Sequence, residues 1–239
     1  MLNNRVDQGG FMSNLPSHSK VVIIGGGAVG ASCLYHLAKE GWTDCVLIEK
    51  NELTAGSTWH AAGNVPTFST SWSIMNMQRY STEFYRGLST AVGYPMNYHV
   101  TGSIRLAHSK ERMQEFQRAK GMGIYQGMDL EILQNSDIKD KYPFIELHDL
   151  EGALYDPADG DIDPAQLTQA LAKGARDKGA EIYRNTNVTS INQLENEMWV
   201  VETDKGSIEC EHVISCSGNF ARQTGKMVGL DIPVIPVEH

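Results

Sequence analysis

No basic stripe runs through this sequence: its 20 Lys and Arg are scattered among 29 Asp and Glu, leaving a formal net charge of -9. Proteins that grip nucleic acid neutralise phosphates with clustered Lys and Arg, so nucleic acid is excluded as a partner. Long apolar runs are also missing. The most apolar stretch, residues 21–37, is interrupted by glycines, Ser32 and His36, and a membrane span needs about 20 consecutive apolar residues. No membrane segment is expected. Cysteine is scarce, and Cys33, Cys45, Cys210 and Cys216 lack the close Cys-x-x-Cys or Cys/His spacing of a zinc site. No metal is expected. The four thiols, with nothing resembling a secretory signal, point to a reducing, cytoplasmic compartment. Residues 1–19 have no periodicity and lack the arginine-rich amphipathic character of a transit peptide, so they are expected to be a disordered leader.

What is present is ordinary globular composition, 41% hydrophobic and 21% charged over 239 residues, enough for one sizeable core or two small ones. Residues 21–24 (Val-Val-Ile-Ile) run straight into Gly25-Gly26-Gly27-Ala28-Val29-Gly30, after which Leu34, Leu37 and Ala38 recur at helical spacing. Gly41 ends that helix. Residues 45–48 (Cys-Val-Leu-Ile) then form a second apolar run closed by Glu49, giving a βαβ unit of the kind that opens a doubly wound sheet. Residues 51–73, rich in Gly, Ser, Thr and Ala, make a loop too long to be a mere connection, which marks it as functional.

Further along, periodicity predicts a helix over 73–90, a strand over 101–107 and a helix over 110–120. The segment 96–161 breaks the βαβ rhythm and reads as an inserted, mostly antiparallel domain. Asp163-Pro164 opens another helix to about residue 178, because Asp caps backbone N–H groups and Pro at the first helical position wastes no donor. Strands are predicted at 181–183, 188–191, 199–203, 207–209 and 213–214. The fold class is therefore α/β (α+β overall), with a nucleotide-binding domain over 20–95 and 162–230 and a second domain over 96–161 and 231–239. Trp72, Tyr80, Phe84 and Tyr85 have helical spacing and read as packing rather than as a substrate cage.

Gly25, Gly27 and Gly30 fit the G-x-G-x-x-G fingerprint, in which glycines permit the tight turn, the approach of a pyrophosphate to the backbone and close helix packing. The helix N-terminus that follows offers N–H groups and partial positive charge to phosphates. Glu49 ends the next strand about 20 residues on, where a carboxylate can accept hydrogen bonds from ribose hydroxyls. These features together specify dinucleotide binding but do not separate NAD from FAD.

The loop after Glu49 carries the distinction. Leu53-Thr54-Ala55-Gly56-Ser57-Thr58-Trp59-His60-Ala61-Ala62-Gly63 resembles the flavin-contacting loop of the dimethylglycine and sarcosine dehydrogenase family, within the D-amino-acid-oxidase-like flavoproteins. Gly102-Ser103-Ile104-Arg105-Leu106-Ala107, Gly152-Ala153-Leu154-Tyr155-Asp156-Pro157 and Asp159-Gly160-Asp161-Ile162-Asp163-Pro164 extend the resemblance, which covers nearly all of 20–239. It implies FAD bonded covalently through His60. It further implies cofactor contacts from Gly25, Gly27, Ala28, Val29, Gly30, Glu49 and Lys50, from Gly56, Ser57, Thr58, Trp59, Ala61, Ala62, Gly63 and Asn64, and from Val188, Gly218 and Phe220. Around Gly218 the sequence departs from relatives, with Cys216-Ser217 before it and Asn219 after it.

By the same resemblance the reaction is hydride transfer from a small N-methyl amino acid, dimethylglycine or sarcosine, to flavin N5. An electron-transfer flavoprotein is then the implied acceptor, and folate enters only through a C-terminal half absent here. His239 is the one residue nominated to face the substrate. Because relatives continue past this point, the chain is expected to be a truncated N-terminal portion. Two other readings stay open: a flavin amino-acid oxidase using oxygen, and an inert nucleotide-binding fragment.

Overall fold

A computed structural model describes residues 15–237. His239 and residues 1–14 of the expected leader lie outside the described residues. In chain order the elements are β1 (His18–Ile24), α1 (Ala28–Lys39), β2 (Cys45–Ile48), β3 (Asn64–Val65), α2 (Trp72–Val92), β4 (Tyr98–His99), β5 (Ser103–Ala107), α3 (Lys110–Tyr125), β6 (Glu131–Leu133) and α4 (Asn135–Lys141). There follow β7 (Gly152–Asp156), β8 (Gly160–Ile162), α5 (Pro164–Arg176), β9 (Glu181–Tyr183), β10 (Val188–Gln193), β11 (Trp199–Thr203), β12 (Gly206–Ser215) and α6 (Ala221–Met227).

One compact unit comprises residues 15–61, 88–96 and 164–237. Its sheet has the order β10-β11-β12-β1-β2-β9. The strands from β12 through β9 are parallel, and β10, β11 and β12 form an antiparallel meander. Residues 21–24 of β1 read as an unbroken apolar run because both faces of that stretch are covered. Val22 and Ile24 join Val46, Ile48, Val201 and Ile208 in one core. Val21 and Ile23 alternate with them and are equally buried. α1 and α5 pack together at Gly174, where a Cβ would stand 2.6 Å from Tyr35 and from Val92.

The second unit comprises Ala62–Gly87 and Asn97–Asp163. It is antiparallel, as the sequence predicts, with the sheets β5-β7-β6 and β3-β8-β4. Phe68, Met75, Phe116, Met128 and Leu154 centre its core. A polar knot lies beside it. The Thr67 hydroxyl donates to Asp156 at 2.6 Å, the Thr67 N–H donates to Asp159 at 2.6 Å, and the Ser103 hydroxyl donates to Asp159 at 2.5 Å.

Several expectations are corrected. β1 begins at His18 rather than at residue 21, and Ser19 is buried with its hydroxyl donating to the Val21 and Asp44 carbonyls, so the end of the expected leader belongs to the sheet. Residues 62–87 fall in the second unit because β3 pairs with β8 and because Phe68 and Met75 enter its core. Residues 231–237 group with the first unit, tied by the Arg222–Asp231 ion pair and by Ile232 against Gly225. The predicted strands at 207–209 and 213–214 are one strand, β12, held along its length by β11 and β1. Of the aromatics on α2, Trp72 and Tyr80 pack at the surface rather than in the core: they are 48% and 57% exposed, with Trp72 against Tyr125 and Tyr80 stacked on Phe84, while the helix buries Met75 and Thr82.

Candidate nucleotide-binding site

Three strands of the parallel sheet deliver the site. Gly25, Glu49 and Cys216 directly follow the carboxyl ends of β1, β2 and β12, the end of an open α/β sheet where ligands are received. Gly25 has φ +114°, and a Cβ there would stand 2.4 Å from the Cys216 carbonyl oxygen. At Gly30, now in the first turn of α1, a Cβ would stand 1.9 Å from the Gly25 carbonyl oxygen. Gly25 and Gly30 are thus demanded by backbone contact before any ligand is considered, whereas a Cβ at Gly27 would meet only the Thr58 hydroxyl, at 2.9 Å.

α1 starts at Ala28 with Gly27 as its cap, no capping side chain at that position and no acidic residue in its first turn. The Ala28 N–H donates to the Thr58 hydroxyl at 3.0 Å. Val29 is 70% exposed, which leaves this positive end of the helix open to an anion.

Glu49 is held by backbone donors: its carboxylate accepts the Gly26 N–H at 2.6 Å and the Asn51 N–H at 2.8 Å. An ionised carboxylate has further lone pairs for hydroxyl donors. The loop beyond it is anchored rather than loose. Leu53 is buried, Thr54 adopts φ 72° and donates its N–H to the Gly26 carbonyl at 3.0 Å, and an ion pair joins Glu52 to Arg184.

His60 is exposed, with Nδ1 3.1 Å from the Gly56 carbonyl oxygen and its ring 4.0 Å from that of Trp59. A carbonyl oxygen only accepts, so Nδ1 is the donor in this contact. Asn219 donates to the Ser57 hydroxyl at 3.2 Å and closes the loop toward the turn after β12.

These groups line a cleft of about 1020 Å³ within the first unit. Of the residues nominated from the sequence, Gly25, Gly27, Ala28, Val29, Glu49, Lys50, Gly56, Ser57, Thr58, His60, Val188, Gly218 and Phe220 line it. Glu49 and Lys50 are its charged lining residues, and the Lys50 ammonium sits 3.1 Å from the centroid of the Phe220 ring. Val188 both lines the cleft and packs on the sheet core.

Other predicted residues lie elsewhere. Gly30 is buried under the turn, and neither Trp59 nor Ala61 lines the cleft. Ala62, Gly63 and Asn64 belong to the second unit, where the Gly63 carbonyl accepts the Ile162 N–H and Asn64 pairs with Asp161. Sequence reasoning missed Asn51, Gln223 and Ile235 as lining residues. The helix that follows Ser217-Gly218 was the available signal for Gln223.

Residues 20–239 match the family described as FAD dependent oxidoreductase (DAO). The mitochondrial dimethylglycine dehydrogenase of Rattus norvegicus is 41% identical over 221 residues, covering 92% of this chain and 26% of that protein. The mitochondrial pyruvate dehydrogenase phosphatase regulatory subunit of Mus musculus is 37% identical over 227 residues, covering 94% of this chain and 26% of that protein. The chain thus spans about a quarter of the length of these relatives. Among solved structures, L-proline dehydrogenase from P.horikoshii superposes with a TM-score of 0.85 at 27% identity, over 94% of this chain and 59% of that one.

Proposed function

Since the chain belongs to the family of FAD-dependent oxidoreductases, we propose that it supplies the FAD-binding part of an enzyme that oxidises a small N-methyl amino acid of the dimethylglycine or sarcosine type. The observation that carries this reading is one cleft lined by the glycine turn, Glu49 and the Ser57-Thr58-Trp59-His60 loop's His60, in a chain 41% identical to a dimethylglycine dehydrogenase.

The residues present fit FAD. A Cβ at Gly56 or Gly218 would meet nothing within 4 Å, so the backbone at both positions faces open space that a diphosphate can approach. The unopposed start of α1 favours its charge. The Glu49 carboxylate, already fixed by two N–H groups, presents its remaining lone pairs to ribose hydroxyls. Lys50 and Phe220 offer a cation and an aromatic face on the same wall.

Bound flavin supplies the redox chemistry, accepting a hydride from the carbon beside the amine nitrogen. His60 is proposed as the covalent anchor, with Nε2 as the attaching atom because Nδ1 is committed to Gly56. An electron-transfer flavoprotein is proposed as acceptor, and folate as a partner only of further sequence of the kind the longer relatives carry. The four free cysteines support a reducing compartment, proposed as the cytoplasm. Fractionation distinguishes that from the mitochondrial location in the relatives' names.

Titration of the chain with FAD should quench flavin fluorescence saturably, with ADP competing. Anaerobic bleaching of bound flavin by dimethylglycine or sarcosine then tests the substrate class. Binding without bleaching by either amine favours the second reading, a nucleotide-binding module without turnover, which the 37% identity to a regulatory subunit supports. Flavin that survives acid precipitation with the protein identifies the covalent link, and its complete release removes His60 from that role.

A further inference from the structure

Two of the four cysteines meet under the glycine turn. Cys33 lies on α1 one turn beyond Gly30, and Cys216 follows β12. A Cβ at Gly30 would stand 3.4 Å from the Cys216 Cβ, which places Cys216 against the first turn of α1. Each thiol is the first influence on the other's ionisation. Both are half-buried free thiols, and Cys216 lines the cleft.

From this juxtaposition we infer that Cys33 and Cys216 form a redox modification site, a dithiol that hydrogen peroxide closes to a disulfide. The site does not depend on the proposed amine oxidation. The proximity of the two thiols lowers the Cys33 pKa to about 7 and raises that of Cys216. Cys33 is therefore the nucleophile and Cys216 the resolving thiol, since thiolates attack and thiols do not. Cys45 and Cys210 offer an internal contrast: both are buried in the sheet, and burial pushes each up to about 11.

In the first step the Cys33 thiolate attacks one peroxide oxygen, the O–O bond breaks, and a sulfenic acid and hydroxide result. In the second the Cys216 sulfur attacks the Cys33 sulfur, the S–O bond breaks, and hydroxide leaves. The two thiol protons convert both hydroxides to water. Overall two thiols lose two electrons, and one peroxide is reduced to two waters. A disulfide needs the sulfurs about 2.05 Å apart, so closure draws the segment that walls Gly25 toward α1.

The test is peroxide treatment of the full chain, with thiol titration and peptide mapping by mass spectrometry. Titratable thiols should fall from four to two. A peptide pair joined through Cys33 and Cys216 should appear and vanish on reduction, while Cys45 and Cys210 stay reduced. In Cys216→Ser, Cys33 should stop at a dimedone-reactive sulfenic acid. If that variant fails to fold, Cys216→Ala or the wild-type peptide map decides alone. Retention of four thiols overturns the inference. So does oxidation of wild-type Cys33 to sulfinic acid without a link, or a link that includes Cys45 or Cys210.

Discussion

Glycine positions that look alike in the fingerprint do different physical work, and substitution separates them. At Gly30 a methyl group would stand 1.9 Å from a backbone oxygen, and backbone cannot step aside as a side chain can. Gly30→Ala is therefore expected to cost at least the roughly 1–3 kcal/mol of an overpacked core and to lower Tm without added nucleotide. Gly56→Ala should behave oppositely. Its Cβ meets nothing within 4 Å, so stability should stay within about 0.5 kcal/mol of wild type, as for a surface substitution away from special features. FAD affinity should nevertheless fall, because the methyl occupies the space proposed for the cofactor. Equal Tm loss in both variants would contradict the assignment of Gly30 to the fold and Gly56 to the ligand. Glu49→Ala removes charged hydrogen bonds worth about 1.5–3 kcal/mol each, so a titration in the His60→Ala background should show FAD binding at least roughly tenfold weaker.

Among elements, those built from local pattern were legible and those built by distant partners were not. The run of four apolar residues before Gly25, the helical spacing of Leu34 and Ala38 and the apolar closure at Glu49 each signal their element within a few residues, and β1, α1 and β2 are found there. β3 and β4 have two residues each and no periodicity to read; they exist because β8 lies between them and pairs with both. α4 is seven residues of mostly polar sequence with a single buried side chain, Ile138, and was invisible for the same reason. The site followed this division. Residues on the glycine turn and the loop after Glu49 were legible, Asn51 at the start of that loop excepted, whereas Gln223 and Ile235 become neighbours only when the sheet and the segment from α6 onward are assembled. Ile23, buried in β1 between β2 and β12, is the place to test the core of this framework. Ile23→Ala should destabilise by about 2–5 kcal/mol, as large-to-small core changes do. Denaturant unfolding would measure it, and a loss below 1 kcal/mol would mean that the strand is not packed as described.

The molecule as a whole carries a net charge of -9, yet its pH response is expected to hinge on a carboxyl that is poorly solvated. Asp156, buried in the second unit, has its pKa raised above the ordinary carboxylate range first by desolvation and further by the nearby Asp159; the Thr67 hydroxyl bond pulls the other way without cancelling it. A carboxyl whose folded pKa exceeds its unfolded one binds its proton more tightly when folded. Its contribution is then complete below the unfolded pKa, about 3.9, and is lost as pH rises through the raised folded value. Asp156 therefore opposes folding at neutral pH. Replacing it with Asn keeps an oxygen for the Ala158 N–H or the Thr67 hydroxyl and adds an N–H₂ donor toward Asp159, while removing the buried charge. Asp156→Asn is expected to raise Tm at pH 7 relative to wild type, and the gap should narrow as pH falls toward 4, where wild-type Asp156 takes up its proton. Scanning Tm between pH 4 and 8 for both proteins checks this. A gap that widens toward acid would mean that the charged form of Asp156 is the one the fold stabilises, through Thr67 and the Ala158 N–H, and that desolvation is the smaller effect.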